Sequence, residues 1–183
     1  MENIPNEPIY SRHVLEFLAV AHEFCVFIEK SEAKETTEIV SVLQKMNPLL
    51  HLKGALLPEV EVMNPEANER FVIEEQWEQV FNNLRQKFGP NDEFWGFDPA
   101  EYGYDEPRKL SLAESFADVY QDLKDFTILY QKNSKAAKEN AVSECKLLFE
   151  THWGIRLMNA SIQLHTILFG HKKHPYSQTE TIL

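Results

Sequence analysis

The sequence predicts an all-α protein, a single-domain bundle of about five helices. Apolar residues recur at helical spacing in five separate segments. The chain has 183 residues, 43% of them hydrophobic, which is enough for one domain with its own core. We find no internal repeat, low-complexity tract or second domain in it. We assign residues 1–170 to the bundle and residues 171–183 to a flexible C-terminal tail.

The first two helices occupy the N-terminal third. The first is predicted over residues 11–30, where two adjoining apolar stripes indicate packing on more than one side. The second is predicted over residues 33–46. Pro48 should interrupt it, because proline lacks a backbone N–H and clashes with the preceding turn. A short helical continuation then ends before Pro58, and residues 58–69 read as a loop.

A long segment, residues 89–110, separates the third and fourth helices. The third helix ends before it at Gly89 and Pro90, after an apolar face formed by Trp77, Phe81, Leu84 and Phe88. The segment has no helical spacing, and loops of this length tend to be functional or lid-like. Its aromatic side chains either clamp the end of the bundle or form a binding loop. The candidate binding residues are Trp95, Phe97, Asp98, Tyr102 and Tyr104.

The fourth helix begins at a Ser-x-x-Glu capping box, Ser111 with Glu114. Its apolar stripe lies opposite three aspartates, Asp118, Asp122 and Asp125. Aspartate costs up to roughly 0.7 kcal/mol relative to alanine inside a helix. Carboxylates four residues apart also repel each other. We therefore expect a positive group against these side chains, unless they are simply a solvated face.

The fifth helix is predicted over residues 134–169, about 54 Å long if unbroken and kinked near Gly154. From residue 147 onward it is apolar nearly all round, which predicts a buried helix. One narrow polar seam follows it at spacings of four, three and four residues. The seam consists of His152, Arg156, Asn159 and Gln163.

The fourth and fifth helices should lie antiparallel, since only a short turn joins them. We expect Asp118 and Asp122 to meet Arg156 and His152, because a buried arginine keeps its charge and needs an anionic partner. Asn159 would extend the same seam. The seam is either a structural network that sets the helix register or a ligand or metal site, and the sequence does not specify a cofactor.

Charge and segment composition exclude several classes of protein. The net charge of −11 argues against nucleic-acid and anionic-membrane partners, since both are polyanions. The N-terminus has no signal-peptide pattern, and the most apolar segment, VLEFLAVAHEFCVFI, contains charged residues, so we expect no membrane span. We expect a cytoplasmic protein in which Cys25 and Cys145 are reduced core thiols.

One enzyme class has a partial likeness to the chain. The segment EEQWE, residues 74–78, resembles the Glu-Glu-x-x-Glu half-motif with which MazG-type nucleotide pyrophosphohydrolases hold Mg²⁺. The second half-motif of that class is Glu-x-x-Asp. Here it would be Glu114 with Asp118, which are spaced Glu-x-x-x-Asp. No phosphate-binding glycine loop, zinc motif or nucleophile–base arrangement accompanies the glutamates.

Three motifs together resemble one bacterial family, the domain of unknown function numbered 5063. They are FWGFDP, SLAESFADVYQDLKDF and HWG. The resemblance implies a helical fold and a bacterial cytosolic protein, and it implies no activity. Many members have a further histidine shortly after His-Trp-Gly, where this chain has Arg156, which favours an ion pair there over a metal site. The matching residues are Trp95, Phe97, Asp98, Pro99, Ser111, Leu112, Ala113, Ala117, Asp118, Tyr120, Asp122, Leu123, Lys124, His152, Trp153 and Gly154.

Two functions from different classes follow. The favoured one is a non-enzymatic interaction or regulatory module, with a protein partner or a second copy of the chain as its ligand. The alternative is a metal-dependent or small-ligand-binding hydrolase, similar to a pyrophosphohydrolase, that uses Asp118, Asp122 and His152. The alternative requires a pocket between the last two helices in which solvent reaches the carboxylates.

Overall fold

The computed structural model describes residues 7–97 and 106–170. These residues form the predicted all-α bundle, with one two-stranded sheet. The predicted tail, residues 171–183, lies outside the described residues. A π-helical segment, Phe149–Trp153, joins the last two helices into one continuous rod, so the bundle has five rods. The helices are α1 (Arg12–Glu29), α2 (Thr36–Ala55), α3 (Glu74–Phe88), α4 (Leu112–Gln131), α5 (Lys135–Leu148) and α6 (Gly154–Phe169).

The most buried helix is α4. It packs against α1, α3, α5 and α6, and 14 of its 20 residues are buried. Its apolar side chains pack against aromatic rings of the neighbouring elements. The ring centroids of Phe126 in α4 and Phe17 in α1, for example, lie 5.1 Å apart. On its polar face, Asp122 and Asp125 are buried, and the side chain of Asp118 is only 14% exposed. The interpretation of its aspartates as a solvated face is therefore wrong.

The prediction that the last helix is buried all round is also wrong. In α6 the buried residues are Gly154, Leu157, Ala160 and Leu164, which form the side that packs against α2 and α4. Several large apolar side chains of this rod point to solvent instead. They are Leu147, Met158, Ile162 and Phe169.

Where the sequence predicts a kink, the structure has a π-helical segment that ends at Trp153, immediately before Gly154. A Cβ on Gly154 would lie 2.3 Å from the carbonyl oxygen of Phe149, so the backbone at this turn requires glycine. A second glycine, Gly54 of α2, leaves room for two aromatic rings of the π-helical segment to pack against α2. A Cβ there would lie 2.4 Å from the ring of Trp153 and 2.8 Å from that of Phe149.

The predicted break at Pro48 does not occur, because α2 continues through it to Ala55. Pro48 is exposed, while residues on either side of it, Asn47 and Leu50, are buried against the bundle. Packing of α2 on α1 and α6 therefore outweighs the roughly 3 kcal/mol that an interior proline costs.

The sequence predicts a loop without regular structure over residues 89–110, but the described part of this segment contains two paired strands. Strands β1 (Glu93–Gly96) and β2 (Arg108–Ser111) pair antiparallel, from Glu93 with Ser111 to Gly96 with Arg108. Phe94 is buried under this hairpin, whereas its neighbour Trp95 points to solvent. Neither strand, EFWG or RKLS, alternates strictly between apolar and polar residues, so the sequence lacks the usual strand signal there.

No helix in the described part of the chain combines the length and the apolar character that a membrane crossing needs.

Candidate functional site

The β1–β2 hairpin and the start of α4 are joined by a buried aspartate, Asp92. Its side chain accepts hydrogen bonds from the hydroxyl of Ser111 at 2.9 Å and from the backbone N–H of Ala113 at 2.8 Å. The hydroxyl of Ser111 in turn accepts from the N–H of Glu114, as the capping-box prediction requires of the serine. The beginning of α4 is therefore held in place relative to the hairpin.

Asp122, nearly three turns along α4 from its first residue, contacts a histidine and an arginine side chain. Its Oδ2 lies 2.7 Å from Nδ1 of His152, and its Oδ1 lies 3.5 Å from Nη1 of Arg70. The Asp122 side chain is only 7% exposed. Since an ionised carboxylate can only accept, Nδ1 of His152 donates the proton in this pair.

Asp118 lies one turn before Asp122 and has three neighbours. Its Oδ1 accepts a hydrogen bond from the indole N–H of Trp77 at 2.8 Å. Its Oδ2 lies 3.2 Å from Nη1 of Arg156 and 3.9 Å from Nε2 of His152. Burial raises the pKa of Asp118 above its ordinary value, although Arg156 and the Trp77 N–H act in the opposite direction.

Asp125, the last of the three aspartates of α4, is buried and fixes the segment before α3. Its Oδ1 accepts from the backbone N–H groups of Phe71 and Val72 at 2.8 and 2.9 Å. Its Oδ2 lies 3.3 Å from Nη1 of Arg70, whose Nη2 donates to Glu144 at 2.7 Å. Burial acts to lower the pKa of Arg70, but the carboxylates, Glu144 foremost, more than offset this and raise it.

The side chains around α4 form one connected set, which we call the α4 network. Four carboxylates face two arginines, which leaves two negative charges; a protonated His152 would leave one. Every carboxylate of α4 in the set has a donor from another element, so the set ties α4 to the loop before α3, to α5 and to α6. Its members are Arg70, Trp77, Asp118, Asp122, Asp125, Glu144, His152 and Arg156.

The part of the α4 network around Asp122 and Asp125 encloses very little free space. The cavity that borders Asp122 and Asp125 measures about 10 Å³, no more than a single water molecule needs. In the described ranges, 7–97 and 106–170, no group of three or more His, Cys, Asp or Glu side chains has a geometry that could hold a metal ion. The oxygens of Asp118 and Asp122 face protein donors instead.

The structure does not bring all the predicted residues together. Asp118, Asp122, His152 and Arg156 lie in the α4 network, whereas Asn159 lies outside it. Asn159 donates instead to the carbonyl oxygen of Phe97 at 2.8 Å. Gln163, one turn further along α6, donates to the carbonyl oxygen of Asn91 at 3.1 Å. The C-terminal half of the predicted seam, Asn159 and Gln163, therefore holds the hairpin against α6.

Of the predicted binding loop, the structure describes Trp95 and Phe97. Trp95 is 69% exposed and Phe97 is 50% exposed. Asp98, Tyr102 and Tyr104 lie outside the described residues.

The sequence reasoning missed Arg70, Glu144, Asp92 and the role of the Trp77 indole N–H. The signal for Arg70 was present, because it is the sole cation in residues 58–73, a segment rich in glutamate. The pairing could not be found from spacing, since 52 positions separate Arg70 from Asp122 and nothing local relates them.

The two halves of the pyrophosphohydrolase-like motif do not come together. Glu74, Glu75 and Glu78 are exposed on α3, and Glu114 is exposed at the start of α4. Asp118 is instead turned into the bundle, where the Trp77 indole contacts it.

These features define a single-domain, all-helical bundle whose central helix is held by a network of ion pairs. The chain belongs to the family of the domain of unknown function DUF5063, whose model matches residues 8–170. It is also similar to the crystal structure of protein BF1032 from Bacteroides fragilis, with 31% sequence identity and a TM-score of 0.80. That match covers 92% of this chain and 99% of BF1032. No curated protein matches the chain.

Proposed function

We propose that this protein is a non-enzymatic interaction module that binds a partner protein through the β1–β2 hairpin. The observation that carries the proposal is the exposure of Trp95, 69%, on a strand that is itself firmly held. Tryptophan is among the side chains that contribute most to protein–protein affinity. A solvent-facing tryptophan beside the half-exposed Phe97 is a suitable anchor for such a contact.

The hairpin is preorganised for binding, because both of its ends are tied to helices. Asp92 holds it to the start of α4. On either side of β1, backbone carbonyls accept hydrogen bonds from Asn159 and Gln163 of α6. Across the hairpin, Lys109 Nζ lies 2.7 Å from Glu93. A rigid recognition element loses little conformational entropy when it binds, which favours affinity.

The α4 network supports a structural role better than a catalytic one. Its carboxylates already have cationic or N–H partners, and the adjoining cavity is too small for a substrate. The hydrolase alternative needs carboxylates that solvent and substrate can reach. We therefore assign the network to holding α4, α6 and the hairpin in register.

The proposal can be tested with a photo-crosslinking amino acid placed at position 95 of the full chain in its native cell. Ile73 is a matched control, since it is also apolar and is 56% exposed, at the start of α3. We expect a discrete adduct with a different protein from position 95 and none from position 73. No adduct, equal adducts at both positions, or an adduct only with a second copy of this chain would contradict the proposal.

The hydrolase alternative has its own test. A thermal-shift screen of the purified chain against divalent ions and nucleotides should leave the melting temperature unchanged. A stabilising ion or nucleotide whose effect disappears in Asp118→Asn would instead support the alternative.

A further inference from the structure

A cavity of about 380 Å³ lies between the turn Pro8–Tyr10, the loop after α2 and the first turns of α5. We propose that this α5 cavity binds a small organic amine, which is an apolar chain or ring that carries one protonated amino group. No described side chain of the β1–β2 hairpin or of the α4 network lines the α5 cavity. The proposal therefore does not depend on the hairpin's role.

The lining of the α5 cavity combines an apolar surface with a few charged groups, which is the usual composition of a small-molecule site. The volume also falls within the range of roughly 300–1,000 Å³ that such sites occupy. A ligand with an apolar body can therefore displace water from the walls, which favours binding. The apolar lining residues are Pro8, Ile9, Val60 and Met63.

One carboxylate in the wall of the α5 cavity, that of Glu139, is buried without a close partner. The Glu139 side chain is only 9% exposed. Its Oε2 accepts from the backbone N–H of Met63 at 3.5 Å, and its Oε1 lies 3.8 Å from Nζ of Lys135. Both distances are longer than the value of about 2.7–2.9 Å that is typical of a charge-assisted hydrogen bond. Because a buried carboxylate normally has such a donor, Glu139 can accept a further one from a ligand in the cavity.

The charges around the α5 cavity favour a cationic ligand. Glu7 and Glu61 line it together with Glu139, and among the described residues Lys135 is the only cation that does so. Nζ of Lys135 lies 2.9 Å from Glu7, which is nearer than its distance to Glu139, and two negative charges remain around the cavity. The net charge of −11 also repels anionic ligands. A protonated amino group supplies the missing charge and three hydrogen-bond donors.

The loop that forms one wall of the α5 cavity is held at both ends. At its beginning, Nζ of Lys146 donates to the carbonyl oxygen of Leu57 at 3.3 Å. At its end, the side-chain amide of Asn140 donates to the carbonyl oxygen of Asn64 at 2.8 Å. Since α5 fixes residues 57–64 in this way, the cavity exists before a ligand arrives. Binding then requires little ordering of the protein, which favours affinity.

Titration of the full chain with hexylamine at pH 7, followed through the NMR shifts of the backbone amides, tests the proposal. We expect saturable binding, with the largest shifts at Ile9, Met63 and Glu139. Hexan-1-ol has the same chain without the charge, and hexanoate has the opposite charge, so both should bind roughly tenfold more weakly or worse. Equal affinity for the alcohol, shifts that map to another part of the chain, or no saturable binding would overturn the proposal.

The variant Glu139→Gln distinguishes a specific site from a general attraction of cations to an acidic protein. The substitution keeps an acceptor for the N–H of Met63 and removes the charge. It should weaken hexylamine binding roughly tenfold and leave hexan-1-ol binding unchanged. Glu78→Gln, at an exposed acid of α3, is the matched control and should bind hexylamine like the wild type. Unchanged hexylamine binding in Glu139→Gln, or an equal loss in both variants, would contradict the proposal, and the wild-type shifts test it independently of how the variant folds.

Discussion

Nδ1 of His152 lies 2.7 Å from Oδ2 of Asp122, which joins the π-helical segment to the central helix. A π turn contains one residue more than an α turn and rotates the following residues by about 100°. The α5–α6 rod can therefore present Glu144 from α5 to Arg70 and Arg156 from α6 to Asp118. The π-helical segment thus orients the side chains that α5 and α6 contribute to the α4 network.

Replacing Asp122 with alanine should destabilise the protein. The change removes the acceptor of His152 and a contact of Arg70, and it leaves both groups facing the remaining charges. We expect a loss of about 2 kcal/mol in the free energy of unfolding, or roughly 4–8 °C in melting temperature. Glu78→Ala, at an exposed acid in the interior of α3, is the control and should change little. An unchanged melting temperature for Asp122→Ala would show that the contact does not stabilise the fold.

Asp118 should make stability depend on pH in a defined direction. Its pKa in the folded chain is raised above the ordinary value of 3.8, so the folded state binds the proton more tightly than the unfolded state. Ionisation of Asp118 therefore costs stability as the pH rises above 3.8. We expect the stability of Asp118→Asn relative to the wild type to increase over this range. Chemical denaturation of both proteins at a series of pH values measures the difference, and the opposite slope would contradict the assignment.

Gly154→Ala should destabilise the chain, although this substitution normally stabilises a helix by roughly 1 kcal/mol. The added methyl group would lie 2.3 Å from the carbonyl oxygen of Phe149, which is backbone and cannot rotate away. We expect a loss of about 1–3 kcal/mol, the usual range for overpacking. Thermal unfolding followed by circular dichroism gives the value, and a stabilised variant would mean that the π turn relaxes into an α-helix without cost.

Neither native cysteine should react with a thiol reagent in the folded protein. Cys25 and Cys145 are buried, and burial raises the pKa of both thiols, which suppresses the reactive thiolate. Labelling should reach both residues only after denaturant unfolds the chain. Fast labelling of the native protein would indicate that the core opens locally.

The fold was predictable where apolar residues recur regularly over a long stretch of one helix. Periodic apolar residues predicted the helical rods, and the side chain of Ser111 marked the start of α4. The same reasoning failed at Pro48 and in the β1–β2 hairpin, because each depends on what packs against it. It also overestimated the burial of α6, since several of the apolar side chains of that helix are left to solvent.

The sequence by itself determined an acidic, helical chain and the unusual row of aspartates on α4. Only the tertiary structure decided that these aspartates lie inside the bundle, and that Arg70 and the Trp77 indole join His152 and Arg156 around them. The physical reason is that spacing along one helix specifies which side chains share a face. Which charges meet that face depends on how distant segments pack, and no local pattern encodes that choice.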